Sequence, residues 1–150
     1  MGEPMREFLD SAKWARLKAS RLRRKVAELT TQVEHMTANY SGMPKGSGGD
    51  ATAAWTTLAQ LRSDYEAEIV RAERVEKEVL DFISTLDRPV HREILALRYC
   101  ENLSWPKVME GMQAAGHYYS ERQVYRLHGT ALNEAREKWR TRNNEERRCS

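Results

Sequence analysis

The chain has 150 residues, 40% of them apolar and 31% charged, with four prolines and eight glycines, which suits one ordinary domain or a small module on an extended helical arm. Its formal charge of +3 is too small to argue for nucleic acid by itself. No apolar run approaches the roughly 20 residues a bilayer-spanning helix needs, and the N-terminus has no signal-peptide pattern, so a cytoplasmic protein without a membrane role is expected.

The first segment places Phe8, Ala12, Ala15, Ala19, Leu22, Val26, Leu29, Val33, Met36 and Tyr40 at alternating intervals of four and three, a heptad seam. A second seam runs through Trp55, Leu58, Tyr65, Ile69, Ala72, Val79, Ile83 and Leu86, with charged interruptions at Arg62 and Glu76. Two helices, about 4–40 and 52–87, are expected, joined by a loop at 41–50, SGMPKGSGGD, whose glycines and proline continue neither helix. Folded back antiparallel, the seams meet with Val26 opposite Tyr65 and Leu22 opposite Ile69. That register sets Lys25 beside Glu68, Arg23 beside Glu66 and Arg16 beside Glu73. The run from Lys13 to Lys25 is basic with no acidic residue. It reads either as a face neutralised by the acidic second helix or as a phosphate contact, with Arg21 and Arg24 as its candidates. Leu9, Trp14, Leu17, Val75, Leu80 and Phe82 lie off the seams, and predict a second buried surface, for docking the C-terminal unit or for self-association as a homodimer.

Pro89 can open a new helix because its missing N–H costs nothing there. Val90, Ile94, Leu95, Leu97 and Tyr99 give that helix an apolar face, ending near Cys100. Ser104 is placed to cap the next helix, lined by Trp105, Val108, Met109 and Met112. The third has the best-specified start: Ser120 as cap, Gln123 completing a capping box, and Tyr119 before the cap poised to pack on Val124. Val124, Leu127, His128, Ala131 and Ala135 should face inward, with His128 a hydrogen-bonded core histidine. Glu121, Arg122, Tyr125 and Arg126 should face outward. That pattern suits a recognition helix entering a DNA major groove, and equally an ordinary surface helix. Lys107 is a further phosphate candidate. Residues 141–150 form a basic tail, expected to be disordered.

Three stretches, ILALRY (Ile94 to Tyr99), LSWPKV (Leu103 to Val108) and YSERQVYRLHGTAL (Tyr119 to Leu132), resemble region 4 of the sigma-70 family. They are more similar still to the RinA/ArpU-like phage transcription regulators, whose glycine-proline loop between N-terminal helices resembles SGMPKGSGGD. The resemblance implies an all-α protein: a long antiparallel helical hairpin (coiled coil) over 1–87, then a sigma-70 region 4-like helix-turn-helix over 88–140. It implies a DNA-binding phage or prophage regulator, a late-gene activator acting on double-stranded DNA with host RNA polymerase, and Glu121, Arg122, Tyr125 and Arg126 facing DNA. About four extra residues precede Tyr119; one added helical turn stopped by Gly116 would hold them.

Cys100 and Cys149 lack C-x-x-C spacing, and His35, His91, His117 and His128 are scattered without metal-ligand spacing. Phosphate-cradling and nucleophile-elbow motifs are absent from the sequence. No enzyme, metal or cofactor is therefore expected. Two other readings share these features: a DNA-packaging subunit resembling a phage small terminase, and an adaptor that touches RNA polymerase without reading DNA.

Overall fold

The computed structural model describes residues 2–40 and 48–150, the side chains of 37–40 and 48–51 excepted. All regular structure among them is helical: α1 (Pro4–Tyr40), α2 (Gly48–Ile83), α3 (Pro89–Leu95) continued by a π-helical turn (Ala96–Cys100), α4 (Trp105–Ala114) and α5 (Glu121–Cys149). None of these helices is long and apolar enough to cross a membrane. Residues 41–47 of the expected loop lie outside the described residues, as does its Tyr40 to Ala51 flank at the side-chain level. The second helix begins earlier than expected, at Gly48, and ends at Ile83. Its end is tightened by i to i−3 bonds from the Thr85 and Leu86 N–H groups to Phe82 and Ile83 (3.0 and 3.1 Å).

The chain divides into two compact units, one of Arg16–Arg74 and one of the segment ending at Ala15 together with Val75–Ser150. In the second of these units the outer ends of α1 and α2 pack with the C-terminal helices. Met5, Leu9, Val79, Phe82 and Ile83 share one apolar core with Ile94, Leu95, Val108, Met112, Val124 and Ala131. Leu9 lies off the heptad seam yet is 0% exposed, since surrounding neighbours widen the buried arc beyond an a/d stripe. Phe8, Phe82 and Trp139 form a trio with centroids 4.9 to 5.7 Å apart, and the Arg142 guanidinium lies 5.5 Å from the Phe8 ring. The off-seam set therefore splits. Leu9 and Phe82 are buried, while Trp14 (64% exposed), Leu17 and Leu80 stay in solvent.

In the Arg16–Arg74 unit, Ala19, Leu22, Leu29 and Ala72 are buried, and Lys25 lies over the Tyr65 ring at 5.5 Å. For Glu68 and Glu66 the charge partners differ from the expected Lys25 and Arg23. Glu68 takes Lys18 (2.8 Å) and Arg71, Glu73 takes Arg23, and Glu66 is held by Arg62 on its own helix at 3.3 Å. Long exposed side chains reach a turn along the partner, and an i,i+4 neighbour competes at no loop cost.

Local signals shape the other unit. α3 starts on Pro89 with no side-chain cap from Arg88; instead Glu134 of α5 accepts the Asp87 and Arg88 N–H groups (2.6 and 3.3 Å) and the His91 Nδ1–H (2.9 Å). The π turn closes with Glu101 N–H on the Ala96 carbonyl (3.0 Å), and Asn102 takes the left-handed conformation (φ 54°) that short polar side chains tolerate. Ser104 occupies the N-cap of α4, but its hydroxyl makes no cap bond; only its carbonyl is used, by Val108 N–H at 2.8 Å.

α4 stops at a Schellman motif. The Gly116 N–H bonds the Gln113 carbonyl (3.0 Å), the His117 N–H bonds Met112 (2.8 Å), and Gly116 has φ +90°. Gly116→Ala should therefore cost about 1–2 kcal/mol, because a Cβ is strained at positive φ although open space surrounds it. Chemical denaturation would measure this, and an unchanged midpoint would contradict the assignment.

The basic tail expected to be disordered is helical, with α5 running to Cys149. TRNNEERRC contains no glycine or proline to end the helix, and Arg142 pairs with Glu146 at i,i+4 (3.3 Å).

Candidate nucleic-acid interface

The start of α5 is fixed by a reciprocal capping box. Gln123 N–H donates to Ser120 Oγ (3.3 Å), and the Ser120 N–H donates to Gln123 Oε1 (2.8 Å). Tyr119, just before the cap, is half-buried against the core that holds Val124. Val124, Ala131, Leu132 and Ala135 are buried, with Leu127 and His128 half-buried beside them. The first two turns consequently present Glu121, Arg122, Tyr125 and Arg126 outward, and all four are exposed.

These four are not equivalent. Tyr125 is 45% exposed; its ring meets Trp105 edge-on at 5.0 Å, and its hydroxyl donates to Glu121 Oε1 (3.4 Å). Trp105 in turn carries the Arg98 guanidinium at 4.6 Å and contacts His128 at 4.9 Å, while Arg98 donates to the Leu103 carbonyl (2.8 Å). Tyr125 and Glu121 are thereby held to the π turn and α4. Arg122 and Arg126 have no ion pair or side-chain hydrogen bond among the described residues. They are the two guanidiniums of this face left for an external acceptor.

Lys107 is exposed on α4 and lies 3.8 Å from Glu110. Arg21 and Arg24 are exposed in the Arg16–Arg74 unit, likewise without an ion pair among the described residues, whereas Lys18 and Arg23 of the same run are neutralised. The sequence reading missed Tyr118, 79% exposed in the turn that leads into α5, and the support that Trp105 lends Tyr125. An aromatic beside the staple residue Tyr119 was the available signal for the former.

Beneath this face, the Tyr99 hydroxyl contacts His128 Nε2 at 3.0 Å, and the rings stack at 5.8 Å. Burial, then the positive charges of Arg6 and Arg98, pull His128 down from 6.5 to about 4; burial also raises the Tyr99 hydroxyl above its ordinary value. Both are thus neutral near pH 7, and the tyrosine O–H can donate to the unprotonated Nε2. The unfolded chain takes up this proton near pH 6.5, the folded one only near 4. Stability from this site is complete above about pH 6.5 and falls as pH drops toward 4. His128→Gln should flatten that limb in urea titrations at pH 7 and pH 4.5. An identical acid loss in the variant would refute the assignment.

Compared with protein-family models, characterised sequences and solved structures, the chain matches none.

Proposed function

We propose that the protein is a sequence-specific DNA-binding transcription regulator, with α4 and α5 as a helix-turn-helix and the first two turns of α5 as its recognition surface. The observation that carries this reading is Arg122 and Arg126 side by side and unpartnered, on the open face of a capped helix whose opposite face is buried. Arginine there can bind guanine bidentately or hold a phosphate. Within each compact unit, the contacts of Phe8 with Phe82 and of Lys25 with Tyr65 suit an antiparallel pairing of α1 with α2. With the resemblance to phage regulators, the reading extends to a phage or prophage late-gene activator working with host RNA polymerase.

The test is footprinting on DNA flanking its own gene, followed by titration across salt. Binding should protect a discrete site, and log K should fall linearly with log salt at about 0.9 per phosphate contacted. An absence of duplex binding, or a flat salt response, would overturn the proposal. A large ring in light scattering would instead favour a DNA-packaging subunit.

A further inference from the structure

The C-terminal half of α5 carries a separate surface. Arg136, Arg140, Asn143, Asn144 and Arg147 recur at intervals of three and four, so they share one helix face. Together with Glu3, Pro4, Met5 and Trp139, they line a groove of about 330 Å³ between that face and the start of α1.

Its chemistry is two-sided. Arg136 is taken by Glu3 (2.6 Å), which also neutralises the one carboxylate among the lining residues. Arg140 and Arg147 have no ion pair among the described residues. They are two turns apart on the helix, roughly 10 Å at 1.5 Å per residue. Between them the Asn143 and Asn144 amides offer both donors and acceptors, while Pro4, Met5 and Trp139 form an apolar floor.

A nucleic-acid backbone would satisfy the guanidiniums but leave this floor unused. Arg140 also lies about five turns, roughly 27 Å, beyond Arg122, more than twice the ~12 Å width of a major groove. A duplex gripped by the first turns of α5 does not call on it.

We propose that this groove docks an acidic peptide segment of a partner protein, carboxylates on Arg140 and Arg147 and an apolar side chain on the Pro4 and Trp139 floor. Planar guanidiniums match carboxylates bidentately, and the intervening amides match peptide backbone. The inference stands apart from the DNA reading, since it uses none of the same residues.

The test uses the full chain and a short fluorescein-labelled peptide in which glutamates alternate with leucine and phenylalanine, read by anisotropy. Wild-type protein should bind it, and bind a polyglutamate of equal length distinctly more weakly. Arg140→Glu with Arg147→Glu should raise Kd by about tenfold or more, with unchanged circular dichroism because both positions are exposed. Arg122→Ala with Arg126→Ala should leave peptide binding intact. No binding by the wild type, equal binding by the charge-reversed variant, or equal binding of polyglutamate would each overturn the proposal. So would a charge-reversed variant that keeps the peptide but loses duplex DNA, which would assign these arginines to a nucleic acid.

Discussion

Replacing Arg122 and Arg126 together by alanine should weaken binding to the footprinted duplex by about 2–6 kcal/mol, from 1–3 kcal/mol for each base-reading arginine. Helicity and melting temperature should barely move, since both side chains are exposed and such substitutions usually change stability by less than about 0.5 kcal/mol. Lys107→Ala separates reading from holding. A lysine that only meets phosphate should weaken all duplexes alike and lower the salt slope by about one. Paired substitution of Arg21 and Arg24 asks whether the basic run on α1 reaches DNA, and any loss there should be independent of base sequence. Tyr125→Ala is a poorer probe, because it also removes the ring that packs on Trp105. Unchanged affinity of the Arg122 and Arg126 double variant at moderate salt would sink the recognition-helix assignment.

What the chain discloses in its sequence is whatever depends on neighbours three to five residues apart. The capping box at Ser120 and Gln123 and the glycine stop at Gly116 are short-range hydrogen-bond patterns, and both take the geometry that their residue types imply. The buried positions Ala12, Ala19, Leu22 and Leu29 follow the heptad. Interactions across long sequence separations were not legible. Glu134 looks like one more charge on a polar helix, yet it caps a segment more than forty residues upstream. Leu9 and Trp14 are both off-seam, and only packing against Phe82 and the C-terminal helices buries the first and leaves the second in solvent. The partners of Glu68 and Glu66 differ from the expected Lys25 and Arg23 because exposed lysine and arginine choose among several carboxylates of similar energy. Within the candidate site, the outward set at 121–126 was legible from periodicity. The distinction between engaged Tyr125 and open Arg122 was not, because it depends on where Trp105 comes to rest.

Glu134→Ala should destabilise the unit that contains α3 and α5 by about 1–3 kcal/mol. His91 is 3% exposed, and its Nδ1–H, with the Asp87 and Arg88 N–H groups, depends on this carboxylate. A buried donor left without an acceptor costs about 1–3 kcal/mol, and the methyl group of alanine accepts nothing. His91 Nε2 keeps only a long contact to Thr130 Oγ1, at 3.4 Å. The loss should depend on pH. Burial opposes the charge on Glu134, but the hydrogen bonds from His91, Asp87 and Arg88 outweigh it and hold the carboxyl below its ordinary 4.5. The unfolded chain therefore protonates this group first, so its contribution is complete above about pH 4.5 and is lost as pH falls through the lower folded value. In urea unfolding, the gap between wild type and Glu134→Ala should be widest near neutrality and narrow in acid, with Glu134→Gln, which keeps one amide oxygen as acceptor, falling between them. A gap of the same size at pH 7 and in acid would show that Glu134 acts by packing rather than as a charged cap.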